Sequence, residues 1–224
     1  MDPGLRRAWT EIVTAEDYET HMANVGQARA AADLTAALLH LAALAPGARV
    51  TIAGAGTGQV FDSLDTALFR PYRLTCSDLN PAFLALLRRR LLAHGLRAEL
   101  LEDDFEESTL PPNPDLLLAT LLLEHIDWRR GVESIARLRP RACAIILQEN
   151  PPGMATAVTP GRTLPPSLAR AVEVGHPVLV PKSGLISALG AHGFGCVEQI
   201  VRDVLDSKRL VGLFFRDGSP DALF

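Results

Sequence analysis

Apolar runs of strand length recur along this chain, and each is followed by a stretch with helical periodicity. Strands that alternate with helices form a parallel sheet with crossover helices, because a parallel partner cannot be reached through a short turn. In the first crossover, an apolar face made by Val60, Leu64, Ala67 and Leu68 predicts a helix. Five runs show the pattern: Arg49–Ala53 and residues 73–76, 98–101, 115–121 and 143–148.

The C-terminal part has a different pattern. Residues 183–192 are predicted to form a helix that ends at Gly193, and residues 196–204 and 209–216 are two extended segments. Only residues 205–208 separate these segments, and a connection that short forces an antiparallel hairpin. The sequence therefore predicts an α/β fold with five parallel strands, then a helix, then a hairpin.

Two further segments lie outside this pattern. Upstream of the first strand, Leu34, Leu38 and Leu41 recur at helical spacing in residues 28–45. Residues 150–182 contain seven prolines. Because such a stretch is too irregular for a core element and too long for an ordinary connection, we expect it to cover a site or to bind a ligand.

Charge and composition limit the class of partner. The 224 residues carry a formal net charge of -4, so binding to nucleic acid is not expected. The three cysteines have no His or Cys neighbours at ligand spacing, which indicates neither a disulfide framework nor a metal site. No signal peptide and no run of ~18 uncharged apolar residues is found. We expect a cytoplasmic protein that binds no membrane, and no pattern predicts its oligomeric state.

A glycine-rich turn, Gly-Ala-Gly-Thr-Gly-Gln at residues 54–59, follows the first predicted strand. Glycine lets a backbone approach a ligand closely, and the following helix offers its N–H groups. The dinucleotide fingerprint G-x-G-x-x-G needs a glycine where Gln59 stands, which weakens an NAD prediction without excluding it. The residues predicted to contact a nucleotide-like cofactor here are Gly54, Ala55, Gly56, Gly58 and Gln59.

Acidic residues follow the next two predicted strands. Asp78, followed by Leu79, ends the second strand, where a carboxylate can accept hydrogen bonds from both ribose hydroxyls of an adenosine. NAD and S-adenosylmethionine share this need. Asp103, Asp104 and Phe105 follow the third strand, where an aspartate can accept a hydrogen bond from the adenine amino group. A solvated acidic turn explains the same residues equally well.

Together these motifs resemble the class I S-adenosylmethionine-dependent methyltransferases of the small-molecule type. Residues 54–58 look like the glycine motif of that family, residues 78–80 like its ribose motif and residues 104–105 like its adenine motif. Residues 115–126, DLLLATLLLEHI, are similar to its fourth-strand segment. The resemblance spans about residues 49–216 and implies a three-layer Rossmann-like sandwich, with a mostly parallel seven-stranded sheet and an antiparallel C-terminal hairpin.

The same resemblance implies the cofactor and its surroundings. S-adenosylmethionine is expected to lie across the carboxyl ends of the strands, near Thr120 and Leu121, and to become S-adenosylhomocysteine when its methyl group moves directly to a small-molecule acceptor. The implied organisation is an N-terminal helical lid at 1–45, a core at 46–217 with a proline-rich cap at about 151–182, and a tail at 218–224.

One position departs from the family pattern. Members usually carry an acidic residue two positions before the first glycine, where it helps to hold the methionine part of the cofactor, and this chain has Ile52 there. Glu124, or hydroxyl and amide groups of the N-terminal helix, are alternative sources of that contact. Loss of cofactor binding is a further alternative.

Candidate acceptor contacts come from four parts of the chain: the N-terminal helices, the end of the fourth strand, the exit from the fifth strand and the proline-rich segment. His125 follows the fourth strand, where a base would be near the methyl group, but local packing of the imidazole explains this residue as well. The N-terminal helices of the family form a lid, and the exit from the fifth strand is polar. The predicted acceptor contacts are Tyr18, His21, Met22, Glu124, Glu149, Asn150 and His176.

Two other functions stay open at this point. A nicotinamide-dependent oxidoreductase uses the same glycine turn, but it calls for a sixth parallel strand where the hairpin is predicted. A cofactor-binding protein without catalysis is suggested by Ile52. Methylation of nucleic acid is disfavoured by the charge, and because Asn-Pro-Pro at residues 150–152 follows the fifth strand instead of the fourth.

Overall fold

The computed structural model describes residues 3–154, 157, 163–175 and 177–218. In this part of the chain, one sheet contains seven strands. They are β1 (Arg49–Ala53), β2 (Arg73–Asp78), β3 (Ala98–Glu102), β4 (Leu116–Thr120), β5 (Ala142–Glu149), β6 (Phe194–Asp203) and β7 (Arg209–Asp217). The order across the sheet is β3-β2-β1-β4-β5-β7-β6. The first five strands are parallel, and β7 is antiparallel to both β5 and β6.

Helices cover the two faces of this sheet, and the N-terminal helices lie at the carboxyl ends of its strands. The described helices are α1 (Pro3–Arg7), a π-helical segment (Ala8–Ile12), α2 (Ala15–Asn24), α3 (Gln27–Ala42), α4 (Pro81–Ala93), α5 (Trp128–Leu138), α6 (Pro166–Val174) and α7 (Lys182–Ala191). The predicted fold class, a three-layer Rossmann-like sandwich with an antiparallel C-terminal hairpin, is confirmed. Because the hairpin takes the place of a sixth parallel strand, the sheet lacks the feature that the oxidoreductase alternative required.

The first crossover corrects the sequence prediction. Instead of one helix with an apolar face, it contains two short 3-10 segments, Gln59–Asp62 and Thr66–Phe69. The side chain of Asp65 accepts a hydrogen bond from Ala67 N and starts a second turn at that point. Phe61 and Phe69 then pack edge to face, with ring centroids 5.5 Å apart, and both are buried. Packing between the two aromatic rings holds the crossover as two separate turns, so no continuous helix forms there.

Two other connections also differ from the expected pattern. The third crossover contains only one 3-10 turn, Phe105–Glu107, where a helix was predicted. The proline-rich segment, by contrast, contains α6 although its composition predicted no regular element. Pro166 occupies the first turn of α6, where a missing N–H costs nothing, so the prolines flank this helix and do not interrupt it.

The core consists of two apolar layers, one on each face of the sheet. One layer joins α3 and α4 to the sheet, and the other joins α5 and α7 to its opposite face. Leu34 and Leu38 of α3 are completely buried. Gly212 of β7 leaves room for them, since an added Cβ would lie 3.0 Å from Leu38 Cδ1 and 3.3 Å from Leu34 Cδ2. The predicted leucine stripe of this helix therefore packs directly on the sheet.

No helix in the described residues is both long enough and apolar enough to cross a membrane.

We predict that Leu38→Ala lowers the free energy of unfolding by about 2–5 kcal/mol, because it leaves a cavity between α3 and the sheet. The measurement is urea unfolding followed by circular dichroism. Leu92→Ala is the control, since Leu92 is 60% exposed on α4, and we expect it to change stability by no more than about 0.5 kcal/mol. Equal effects of the two substitutions would contradict the packing described here.

Candidate functional site

The carboxyl ends of the first four strands border a cavity of about 620 Å³, named here the strand-end cavity. Parallel strands end at the same edge of a sheet, so residues far apart in the sequence meet there. Two residues of the N-terminal helices, one residue of α4, and the ends of β1 to β4 with their following loops form the lining: Trp9, Tyr18, Gly54, Gly56, Asp78, Leu79, Phe83, Asp103, Phe105, Thr120, Leu121, Leu122, His125 and Ile126.

Asp78 holds the glycine turn in place. Its Oδ2 accepts a hydrogen bond from Gly56 N at 2.8 Å, and its Oδ1 accepts one from Asn80 N at 2.9 Å. Burial raises the pKa of Asp78, and hydrogen bonds from backbone N–H groups oppose that rise. Gly54 has a positive φ of 60°, and a Cβ there would lie 2.6 Å from Leu122 Cδ1, so both backbone and packing require glycine.

The acidic residues after β3 separate into two roles. Asp103 Oδ1 accepts a hydrogen bond from Thr109 N at 2.8 Å, and Asp103 lines the strand-end cavity. Asp104 instead forms an ion pair with Arg6 at 2.7 Å and accepts a hydrogen bond from Glu106 N. Phe105 is buried against the cavity. The adenine contact predicted from the sequence is therefore available from Asp103, while Asp104 binds the N-terminal segment.

A second cavity, of about 650 Å³, lies on the other side of the glycine turn and is named here the glycine-loop cavity. It shares Tyr18, Gly54, Thr120 and Leu121 with the strand-end cavity, so the two spaces adjoin. Its remaining lining is Met22, Ala28, Ala31, Thr35, Ile52, Ala55, Thr57, Gly58, Gln59, Val60, Phe61, Phe69 and Leu118.

A third cavity, of about 550 Å³, lies between the N-terminal helices and α6 and is named here the lid cavity. It shares Trp9, Tyr18 and His125 with the strand-end cavity. Its other lining residues are mostly apolar: Leu5, Ala8, Val13, His21, Leu164, Leu168, Ala171, Val172, Gly175 and Pro177.

The N-terminal segment is fastened to the core by polar contacts. Asn80 Nδ2 donates to Trp9 O at 2.7 Å, and Gln59 Nε2 donates to Glu19 O at 3.0 Å. Arg90 of α4 forms an ion pair with Glu19 at 2.9 Å. Trp9 and Arg6 were missed by the sequence analysis because their importance depends on contacts with distant residues. Only the aromatic character of Trp9 in an N-terminal helix could have indicated a role.

Glu124, which is buried, and His125, which is half-buried, are adjacent groups with opposite pKa shifts. Burial lowers the pKa of His125 to about 4, so its imidazole is neutral near pH 7. Its ring lies against Trp9, with centroids 4.5 Å apart. Burial raises the pKa of Glu124 to about 7, although a hydrogen bond from Gln148 N to its Oε1 at 2.7 Å favours the charged form.

Buried polar atoms without a hydrogen-bond partner concentrate at these cavities. Among the described residues there are five: Thr35 Oγ1, Thr57 Oγ1, Asp103 Oδ2, Glu124 Oε2 and His125 Nδ1. All except Glu124 belong to residues that line one of the cavities. Because most buried polar atoms in native proteins are paired, such a concentration indicates a place where a ligand supplies the missing partners.

Comparison with known proteins assigns the fold to a family. Residues 50–140 match the family described as Methyltransferase domain. The match places a methyltransferase domain in the part of the chain from β1 to the end of α5. The recognition made from the sequence is thereby confirmed, and so is the cofactor that it implies. No curated protein matches the chain in sequence.

Solved structures of methyltransferases share this fold at low sequence identity. Magnesium protoporphyrin IX methyltransferase from Synechocystis PCC 6803, determined with bound SAH, is 16% identical with a TM-score of 0.61, over 83% of this chain and 80% of that chain. A SAM-dependent methyltransferase from Aquifex aeolicus is 16% identical with a TM-score of 0.55, over 81% and 88% of the two chains. A protein described for conversion of a disulfide bond into a thioacetal group during echinomycin biosynthesis is 21% identical with a TM-score of 0.56, over 84% and 82%.

The structure brings most of the predicted site residues together at these cavities. The predicted cofactor contacts line the strand-end or glycine-loop cavity, apart from Asp104. Of the predicted acceptor contacts, Tyr18 and His21 line the lid cavity, and Met22 lines the glycine-loop cavity. Glu124 is buried beside His125 and lines none of the three cavities. The predicted His176 lies outside the described residues.

Glu149 and Asn150 lie away from these cavities. Glu149 forms ion pairs with Lys182, at 3.1 Å, and with Arg209, the first residue of β7. The Asn150 side chain accepts a hydrogen bond from Gln148 Nε2 at 2.8 Å and donates one to Met154 O at 3.0 Å. The structure therefore gives both side chains local partners at the exit from β5, and neither side chain lines any of the three cavities.

We predict that Glu124 makes stability depend on pH. A carboxyl with a raised pKa binds more protons in the folded chain, so folding loses stability as the pH rises from about 4.5, its unfolded value, to about 7. Glu124→Gln removes this loss, and the stability of the variant relative to wild type should increase by about 1–3 kcal/mol across that window.

Urea unfolding at several pH values between about 4.5 and 8 measures this difference. His125 is present in both proteins, so its own titration cancels. Glu133→Gln, at an exposed position of α5, is the control and should follow wild type. A constant difference between Glu124→Gln and wild type across the window would show that Glu124 has the same pKa in the folded and unfolded chain.

Proposed function

We propose that this methyltransferase transfers a methyl group from S-adenosylmethionine to a small-molecule acceptor bound in the lid cavity. One observation carries the proposal: Trp9, Tyr18 and His125 line both the strand-end cavity and the lid cavity. Only one layer of side chains separates the two spaces. A cofactor in the first and an acceptor in the second would meet beside His125, as direct methyl transfer requires.

The lining of the lid cavity supports an acceptor that is small and largely apolar. Leucine, valine, alanine and proline side chains form most of its wall, and its side chains with polar groups are Trp9, Tyr18, His21 and His125. The cavity is bounded by α6 on one side and by the N-terminal helices on the other. The formal net charge of -4 disfavours binding of a polymer such as a nucleic acid.

The strand-end cavity fits an adenosine. Asp78 would accept hydrogen bonds from the ribose hydroxyls, and Asp103 Oδ2, which has no partner among the described residues, would accept one from the adenine amino group. Leu79 and Phe105 supply apolar surface for the base. When bound, the cofactor supplies an activated methyl group on a sulfonium, so the protein mainly needs to align the reacting groups.

His125 is the residue best placed to act on the acceptor. Its Nδ1 is buried and has no partner among the described residues, so a neutral imidazole can accept a hydrogen bond from an acceptor O–H or N–H. Its lowered pKa disfavours a stable imidazolium. We therefore assign His125 to holding the acceptor atom, by accepting a hydrogen bond from its O–H or N–H group.

The N-terminal segment acts as the lid in this proposal. Residues 1–45 would cover a core at 46–217, with residues 151–182 as the cap and 218–224 as a tail. The Arg6–Asp104 ion pair and the bond from Asn80 to Trp9 O join the lid to residues of the cofactor site. Opening the lid would break these contacts, and closing it would exclude water from the reacting groups.

We predict that S-adenosylhomocysteine raises the melting temperature of the wild-type chain and that NADH does not. Asp78→Asn should weaken S-adenosylhomocysteine binding at least about tenfold, because one amide N–H group would then face a backbone N–H or a ribose hydroxyl. Calorimetric titration measures the affinity. Glu102→Gln, at an exposed carboxylate that ends β3, is the control and should bind like wild type.

A second prediction concerns catalysis. His125→Gln should lower the rate of labelled methyl transfer about 10²-fold while the affinity for S-adenosylhomocysteine changes by less than about threefold, because the imidazole contacts the acceptor more than the cofactor. The assay supplies labelled S-adenosylmethionine and a metabolite extract, and it separates labelled small molecules from labelled RNA and protein. His192→Gln, beyond the end of α7, is the control.

Two results would oppose the proposal. Label found only in the macromolecular fraction would contradict a small-molecule acceptor. Label found in no fraction, with normal cofactor binding, would favour the alternative of a cofactor-binding protein without catalysis.

A further inference from the structure

The glycine-loop cavity lacks the charge that a bound amino-acid group would ordinarily meet. None of its described lining residues is acidic or basic. Ile52, two positions before Gly54, is buried in the wall where the family usually has a carboxylate. An ammonium and a carboxylate both need hydrogen-bond partners when they leave water, so this wall must offer neutral ones if it holds the amino-acid end of the cofactor.

Thr35 provides one neutral group. It lies inside α3 and is 4% exposed. A threonine hydroxyl in a helix ordinarily bonds to a carbonyl of the preceding turn. Thr35 Oγ1 has no partner among the described residues, although it lines a cavity. The hydroxyl is therefore free to contact a ligand, and its position on a packed helix fixes where that contact is made.

Thr57 provides the second. It stands between Gly56 and Gly58, is fully buried, and its Oγ1 likewise has no partner within the described chain. Its carbonyl oxygen accepts a hydrogen bond from Arg90 Nη1, which ties this part of the turn to α4. Both threonines thus carry an unused hydroxyl on a backbone that other contacts hold in place, and both border the same cavity.

Two other candidate groups are already engaged. Glu124, the carboxylate that the sequence suggested as a replacement, accepts a hydrogen bond from Gln148 N and does not line this cavity. Gln59 lines the cavity, but its Nε2 donates to Glu19 O in the lid.

We propose that the hydroxyls of Thr35 and Thr57 anchor the amino-acid end of the cofactor in place of the acidic residue that Ile52 replaces. A hydroxyl can donate to a carboxylate and accept from an ammonium, so a neutral pair can serve both ends of a zwitterion without adding net charge. The glycine-loop cavity adjoins the strand-end cavity, so an adenosine held by Asp78 can extend its amino-acid chain toward the two threonines. This inference rests on the cofactor site proposed above.

The test compares two ligands on the full chain by calorimetric titration. S-adenosylhomocysteine carries the amino-acid end, and 5′-methylthioadenosine has the same adenosine and thioether without it. Thr35→Val and Thr57→Val keep the side-chain shape and remove the hydroxyl. Each should weaken S-adenosylhomocysteine binding about tenfold and leave 5′-methylthioadenosine binding within about twofold of wild type.

Stability without ligand provides an independent readout. Replacing an unpartnered buried hydroxyl by a methyl group removes a desolvation cost, so both variants should melt at or above the wild-type temperature. Thr51→Val, at a buried position of β1 outside this cavity, is the control for the same chemical change and should not alter the ratio of the two affinities.

The outcomes separate this inference from the proposed function. If wild type binds neither ligand, the cofactor site itself is wrong. If wild type binds both and the valine variants weaken both equally or neither, the adenosine site stands and the threonine anchor is overturned. Weaker binding of both ligands together with a lower melting temperature would assign the threonines a purely structural role and would also overturn the anchor.

Discussion

The bridge that Asp78 makes between two backbone N–H groups is the contact on which the site depends. By accepting from Gly56 N and Asn80 N, one carboxylate joins the glycine turn after β1 to the start of α4. That bridge keeps the turn close to the end of β2 and leaves an opening between the two strand ends. The strand-end and glycine-loop cavities adjoin around this turn, so both take their shape from the same contact.

The sequence predicted the sheet well because each strand is a local apolar run, and strand order follows from general rules on connections. It failed where distant contacts decide local structure. The first crossover had helical periodicity, yet packing of Phe61 against Phe69 divides it into two turns. The sequence missed α6 for the same reason. Its buried Ser167 donates its backbone N–H to Asp17 of α2, and composition does not reveal that contact.

The candidate site was likewise predicted only in part. Glycines and aspartates at strand ends could be recognised because the ligand contact needs those residue types at those places. Trp9 and Arg6 could not, because their contacts form only when the N-terminal helices pack on residues that follow β2 and β3. Thr35 and Thr57 are common residues, and only the absence of partners within the described chain distinguishes them. Such unpaired buried groups lower stability, and a bound ligand can recover that loss.

A crystal structure of the chain with S-adenosylhomocysteine tests the central claim most directly. We expect the ribose hydroxyls at hydrogen-bonding distance from Asp78 and the amino-acid group against the hydroxyls of Thr35 and Thr57. We expect the sulfur to face His125, with the lid cavity on the other side of that side chain. A ligand bound with its amino-acid group outside the glycine-loop cavity, or with its sulfur turned away from His125, would contradict it.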